Sequence, residues 1–333
     1  MSATSLTSTA RPLVVDTDPG VDDAFALALA LASPEVDVVA VTSVFGNVDL
    51  DTTTRNARGL LGLAGRPDVP LGRGADRPLI HPTPGRAADV HGDDGLGGRA
   101  DAFVPLGPEP THRAVDLLAA TLEAAAEPVT LAAIAPLTNV ALLLATRPDL
   151  AGRIGRLVVM GGSIGYGGNM TAAAEFNLWC DPEAAHRVLA GSAIPTTLVP
   201  LDLTMRTLVD EPWLDAVAGS GPVGAALAAT RDTYLATYSG RFDRPAIPLH
   251  DAVAVLEAIV PGTLSTTPMP LEVDVSLGPG RGGVIADRRG DRAGSSEGSG
   301  SAGSASRDRR LVDVALTADV EHVRTEIARR LAG

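Results

Sequence analysis

The stretch Asp16-Thr17-Asp18-Pro19-Gly20-Val21-Asp22-Asp23 lies between two apolar runs, Leu13-Val14-Val15 and Ala24-Phe25-Ala26-Leu27-Ala28-Leu29. The first run reads as a buried strand and the second as the body of a helix, with a Pro-Gly turn between them. Acidic residues in the first turn of a helix are favoured by its dipole, which accounts for Asp22 and Asp23. It does not account for Asp16 and Asp18 at the end of an apolar strand. Carboxylates this close repel one another and resist desolvation unless a cation sits among them. A hard, oxygen-liganded ion such as Ca²⁺ or Mg²⁺ fits that donor set.

Working outward, short apolar runs alternate with Ala/Leu-rich segments. Residues 13–15, 36–44, 129–134, 157–160 and 194–199 read as strands, and 23–32, 51–64, 112–126, 137–146, 182–190 and 222–237 as helices. Leu311 to Leu316 and Val320 to Leu331 add a closing strand and helix. Regular alternation predicts an α/β fold: one large domain, mostly a parallel central sheet with helices on both faces, open and Rossmann-like. In such sheets ligands bind beyond the carboxyl ends of the strands. Polar residues fall there: Asp16 to Asp23 after the first strand, Gly46-Asn47 after the second, and Gly161-Gly162 after Met160. The Gly/Pro/Asp/His-rich segment 78–98 is long for a plain connection and is expected near the site. The domain is expected to span 13–333, behind a short tail at 1–12, with a flexible Gly/Ser-rich insertion at about 290–306.

Composition narrows the function. The 333 residues carry 27 Lys+Arg against 40 Asp+Glu, a net charge of -13, and every one of those cations is arginine. Without lysine there is no Schiff base, and without a basic stripe neither nucleic acid nor an anionic membrane is an expected partner. No run reaches the roughly 18 apolar residues of a membrane span. Cys180 is the single cysteine, which excludes an intrachain disulfide and fits a reducing cytoplasm.

Two further groups carry polar chemistry. His250-Asp251 follows Pro245-Ala246-Ile247-Pro248-Leu249 and precedes a helix-like run, so Asp251 reads as an N-cap or as a ligand. Asn169, Glu175 and Asn177 follow a Gly-rich run and suit a ligand with several hydroxyls, as a sugar has. Tyr234 and Tyr238, one helical turn apart, read either as core aromatics or as one wall of a site.

Together these motifs resemble the inosine-uridine preferring nucleoside hydrolase family. The resemblance rests on Asp16 to Asp23, Phe45-Gly46-Asn47, Thr54-Arg55-Asn56-Ala57, His91-Gly92, Pro136-Leu137-Thr138-Asn139, Met160-Gly161-Gly162, Ala174-Glu175-Phe176-Asn177, Asp181-Pro182-Glu183-Ala184-Ala185 and His250-Asp251, in that order. It implies hydrolysis of the N-glycosidic bond of ribonucleosides to ribose and free base. Asp18, Asp23, Asp251 and the Ile134 carbonyl would hold a Ca²⁺, whose shell is completed by the ribose 2′- and 3′-hydroxyls and one water. Asp18 would also be the general base for that water, and Asp16 a support behind the cluster. Asp22, Asn47 and Asn177 would bind the 2′- and 3′-hydroxyls, Asn169 and Glu175 the 5′-hydroxyl, and Met160 would pack near the ribose. His250 and His91 would lie on the leaving-base side, His250 as a candidate acid. A homodimer or homotetramer is the expected assembly. Ala135 stands where glycine is usual, and a left-handed backbone there would be strained. Two other readings exist: a haloacid-dehalogenase-like phosphohydrolase, suggested by Asp16-Thr17-Asp18 but lacking a lysine for phosphate, and a non-catalytic ribonucleoside-binding protein.

Overall fold

A computed structural model describes residues 10–83, 85–289 and 310–332. The strands are β1 (Arg11–Thr17), β2 (Val36–Ser43), β3 (Leu71–Arg73), β4 (His112–Arg113), β5 (Val129–Ala133), β6 (Ile154–Met160), β7 (Thr196–Val199), β8 (Leu208–Asp210), β9 (Ala246–Pro248), β10 (Leu264–Met269), β11 (Leu271–Val273), β12 (Val284–Ala286) and β13 (Val312–Ala318). The helices are α1 (Val21–Ala32), α2 (Leu50–Leu63), α3 (Ala88–His91), α4 (Ala114–Ala124), α5 (Thr138–Thr146), α6 (Phe176–Cys180), α7 (Pro182–Leu189), α8 (Leu201–Thr204), α9 (Glu211–Ala218), α10 (Pro222–Ala229), α11 (Arg231–Tyr238), α12 (His250–Ile259) and α13 (Val320–Leu331).

Nine strands form one sheet in the order β10-β13-β7-β6-β5-β1-β2-β3-β4, parallel throughout except for the β10/β13 pair. The period-2 alternation of strand side chains feeds two cores: Leu13 and Val15 face one, Val14 the other. The first core takes α1, α12 and α13, the second α4, α5 and α7. This is the single α/β domain, with helices on both faces, that the alternation of elements predicts. Among the described residues no helix is long and apolar enough to cross a membrane.

The chain runs outward from β1 through β2, β3 and β4, then returns to β5 on the other side of β1 and proceeds to β6 and β7. The sheet order therefore reverses between β1 and β5, and loops leaving those strands diverge to open a crevice. Asp16 pairs with Ala133 and Thr17 with Ser43, so Asp18, Val44 to Asn47 and Ile134 emerge side by side at that point.

Three sequence expectations need correction. His112–Arg113 is not helical but extends the sheet edge beside Gly72 and Arg73. The segment 222–237 is two helices: the Thr230 hydroxyl and amide both donate to the Leu227 carbonyl, at 2.7 and 3.1 Å, closing a tight turn between α10 and α11. The first strand begins at Arg11, so only 1–9 of the expected tail lies outside the described residues, as does the Gly/Ser-rich stretch at 290–306.

Candidate active site

The aspartate loop is built by its own backbone. The Asp23 carboxylate accepts from the Thr17 hydroxyl at 2.6 Å, the Asp18 and Gly20 amides at 3.2 and 2.9 Å, and the Asn47 side-chain amide at 2.9 Å. Asp23 is the third residue of α1, so the same bonds close the helix start and fix the loop. Asp18 Oδ2 accepts from the Asn47 backbone amide at 2.7 Å. Behind them Asp16 Oδ1 accepts from Thr42 and Asn139 at 2.5 and 2.7 Å, while its buried Oδ2 has no hydrogen-bond partner among the described residues.

Asp251 arrives from more than 200 residues away. It is the second residue of α12, and α12 packs against α1, which sets Asp251 opposite the loop. Oxygens of Asp22, Asp23 and Asp251 lie within 4.8 Å of one another, all three buried. Burial first, and mutual repulsion second, push the Asp18 and Asp251 carboxyls well above the usual range, and Asp22 to about 8. A protein that must hold these groups ionised needs a positive charge among them. The carboxylate donors are all hard oxygens, and Ile134 lines the same cleft, so the residues fit a divalent cation of the calcium or magnesium kind.

The cleft offers about 640 Å³ of open space and is lined by Asp18, Asp22, Asn47, His91, Ile134, Met160, Asn169, Glu175, Asn177, Tyr234, Tyr238, His250 and Asp251. Every expected site residue but Asp23, which lies beneath the loop, and Asp16, which lies behind it, is on that wall. Neither Trp179 nor Trp213 is. Sequence reasoning missed the wall residues Ala87, Val90, Met170, Thr237 and Arg241, which stand in no motif, and quoted Phe176 within a motif without assigning it to the site.

The polar groups left over for a ligand follow from those already used. Asn47 Nδ2 donates to the Asp18 carbonyl at 3.1 Å as well as to Asp23, leaving its oxygen as a free acceptor. Asn177 Nδ2 donates to the Ile134 and Met160 carbonyls, each at 3.3 Å, and likewise keeps its oxygen. Asn169 Oδ1 is taken by the Phe176 amide at 2.9 Å, so its amide hydrogens remain. Glu175 is committed more than expected. It caps α6, accepting from the Asn177, Gly162 and Leu178 amides at 2.9, 2.8 and 3.2 Å, and burial holds its carboxyl near 7 despite them.

On the opposite side the Val21 amide donates to His91 Nδ1 at 3.0 Å, so the neutral ring carries its proton on Nε2. Burial lowers both His91 and His250 to about 3. His250 Nε2 is 3.1 Å from the Tyr238 hydroxyl and Nδ1 is 2.7 Å from the Thr204 hydroxyl. Tyr234 and Tyr238 stack edge to face, with centroids 5.2 Å apart, and belong both to the core and to the cleft wall. The two sequence readings of this pair were not exclusive.

The other motif residues support the loops. Asn139 clamps Asp16, the Ser43 carbonyl and the Ala75 amide, and Asn56 holds the Pro19 carbonyl at 3.1 Å. Ala135 carries no strain, since no non-glycine residue among those described has a positive φ. Gly46 matters for space: a Cβ there would stand 1.9 Å from Asp18 Oδ2. Gly46→Ala is therefore expected to displace that carboxylate and lower kcat at least about tenfold; steady-state kinetics checks it, and unchanged kcat would contradict the packing argument.

A model of the family described as inosine-uridine preferring nucleoside hydrolase matches residues 13–325. The chain belongs to this family. It is 42% identical over 259 residues to the pyrimidine-specific ribonucleoside hydrolase RihA of Citrobacter koseri, covering 77% of this chain and 82% of that one. RihA of an Escherichia coli O7:K1 strain is 41% identical over 264 residues, with the same coverage. Among solved structures, the plant nucleoside hydrolase PpNRh1 superposes with a TM-score of 0.86 at 30% identity, over 97% of this chain and 99% of that one. A purine-preferring ribonucleoside hydrolase from Gardnerella vaginalis gives 0.85 at 29% identity, over 97% and 98%. This nucleoside hydrolase cleaves ribonucleosides to ribose and free base, which sets aside the phosphohydrolase and the non-catalytic binder. The buried acidic cluster is its candidate metal centre.

Proposed function

We propose that the enzyme is a calcium-dependent hydrolase whose preferred substrates are pyrimidine ribonucleosides. The observation that carries the reading is the convergence of buried carboxylates from both ends of the chain at the point where the sheet order reverses. Asp18, Asp23, Asp251 and the Ile134 carbonyl would hold the ion, with Asp22 close enough to share it or to bind the sugar. When bound, Ca²⁺ supplies neutralisation of the cluster and Lewis-acid activation of the oxygen nucleophile.

The residues do the rest. The ribose 2′- and 3′-hydroxyls donate to the free oxygens of Asn47 and Asn177 and to Asp22, the Asn169 amide and Glu175 stand at the 5′ end, and Met160 packs beneath the ring. The ribosyl C–N bond breaks through a cationic sugar, which a wall of carboxylates stabilises. Asp18 takes the proton of the attacking water. The base leaves toward His91, His250 and Tyr238. A single displacement inverts C1′, so NMR of the fresh reaction is expected to show α-ribose; initial β-ribose would contradict it.

The preference for pyrimidines is supported by the RihA relatives and by a base side made of hydrogen-bonding groups, Thr237, Tyr238, Arg241 and the two histidines, with no tryptophan. Reducing-sugar release from uridine, cytidine, inosine and adenosine tests it. Higher kcat/KM for the first two is expected, and equal or higher values for the purines would refute the preference. The cytoplasm is the fitting compartment for a buried free thiol at Cys180, and a homodimer or homotetramer is the assembly that light scattering should find.

A further inference from the structure

The loop 163–174, between β6 and α6, brings Asn169 and Met170 to the cleft wall. Three of its first six residues are glycine, so ordering that half costs more chain entropy than usual. Its own bonds lie in the rear half. The Gly168 and Met170 amides donate to the Ala172 and Ala174 carbonyls at 3.2 and 3.1 Å, and the Phe176 amide donates to Asn169 Oδ1 at 2.9 Å. These bonds fold the loop on itself and onto α6, and leave the front half to be placed by something else.

Among the described residues, every hydrogen bond from 163–174 to an element other than α6 ends on one side chain, that of Asp202 in α8. The Ile164 amide donates to Oδ2 and the Gly165 amide to Oδ1, each at 2.7 Å. The Ser163 hydroxyl donates to Oδ2 at 3.4 Å and accepts from the Gly167 amide at 3.0 Å. Successive backbone amides that converge on one anion make a nest, and here both carboxylate oxygens fill it. Asp202 reaches the loop because β6 and β7 are neighbours. The Gly161 amide donates to the Val199 carbonyl at 3.2 Å and the Leu201 amide to the Gly162 carbonyl at 3.0 Å, which sets the first turn of α8 against the start of the loop. Asp202 itself does not line the cleft.

We propose that Asp202 is a positioning residue: by clasping the Ile164 and Gly165 amides it fixes the loop so that the Asn169 amide meets the ribose 5′-hydroxyl. Recognition of that hydroxyl then depends on a carboxylate outside the cleft. An amide donor gives its full bond only when its distance and angle are held, and a functional group on a loop needs a partner behind it to hold them. Asp202→Asn removes the clasp with almost no change of shape. Asparagine offers one oxygen, and its amino group would face the second amide, a donor against a donor. Ile164 still packs on the second core, so the loop is loosened rather than unfolded. This inference rests on the reading that sets Asn169 at the 5′ end of the sugar.

The discriminating comparison is between uridine and 5′-deoxyuridine, which differ only in the hydroxyl at issue. The wild type is expected to favour uridine in kcat/KM by about tenfold or more, since binding energy at a remote hydroxyl is used in the transition state. Asp202→Asn is expected to lower kcat/KM on uridine about 5- to 10-fold, the worth of one hydrogen bond, and to leave 5′-deoxyuridine within about twofold, so that the preference collapses. General damage to the fold would slow both substrates alike. Equal losses on the two, or no loss on either, would therefore overturn the proposal. Ser163→Ala weakens the same clasp more gently and carries the test if Asp202→Asn does not fold: a smaller loss confined to uridine is expected, and an equal loss or none would overturn the proposal. Asn169→Ala separates the two levels. If it keeps the wild-type preference for uridine, the reading of the 5′ end itself fails; if it loses that preference while Asp202→Asn keeps it, only the role of Asp202 fails.

Discussion

Asp18→Asn is expected to lower kcat on a ribonucleoside by about 10³-fold, within the range that general bases contribute, while KM changes only a few-fold. Asparagine matches aspartate in shape and can still accept the Asn47 amide bond that now ends on Oδ2 at 2.7 Å, so the loop keeps its geometry. What it loses is the capacity to take a proton from the attacking water, together with one negative charge facing the cationic sugar. Steady-state kinetics with thermal melting separates the effects. Activity within tenfold of wild type would remove Asp18 as the base, and a lower melting temperature would point to collapse of the loop. The cation-free variant is expected to melt at or above the wild type, because a buried carboxylate that repels its neighbours becomes neutral.

Removal of the divalent cation has the other large expected effect. Dialysis against a calcium chelator should abolish turnover and lower the melting temperature, and added Ca²⁺ should restore both. The size of the stability loss should depend on pH in a defined direction. Without the ion the folded-state carboxyl of Asp22 sits near 8, raised from 3.8 first by desolvation and then by Asp23. A group raised on folding costs nothing below about pH 4, where it is protonated in both states, and costs progressively more as pH climbs toward 8. The chelated protein is therefore expected to be markedly less stable at pH 8 than at pH 5, and this pH dependence should shrink with Ca²⁺ bound. Full activity after exhaustive chelation would refute the metal requirement, and a pH-independent loss of stability would refute the origin assigned to it.

Much of this site is legible locally because its chemistry is local. Asp16 to Asp23 begins where an apolar strand ends, and a strand end in a parallel sheet is a ligand site wherever the neighbours diverge. Gly46-Asn47 and Met160-Gly161-Gly162 follow by the same rule, whereas Ile134, an apolar residue at a strand end, was indicated only by the family resemblance. The long segment 78–98 does bring His91 to the cleft, on the single turn α3. Other residues were visible by type but not by task. Glu175 reads as a sugar ligand, yet three backbone amides of α6 and its approach already hold it. Tyr234 and Tyr238 gave two readings because a helix turn says which residues are neighbours and not what faces them. Thr204 and Arg241 were invisible, since neither stands in a pattern and each gains its place from an element distant in sequence.

By itself the sequence determined the alternation of strands and helices, the strand ends that carry polar residues, and an ordered motif set sufficient to indicate the family. Those are properties of short windows, set by side-chain periodicity and turn chemistry. Only the tertiary structure decided that the sheet reverses between β1 and β5, that α12 lies against α1 so that Asp251 completes a buried carboxylate cluster, and that Thr204, His250 and Tyr238 form one row. Each of these depends on which apolar faces pack together, and the free energy of that packing is shared over the whole core rather than written in any one segment.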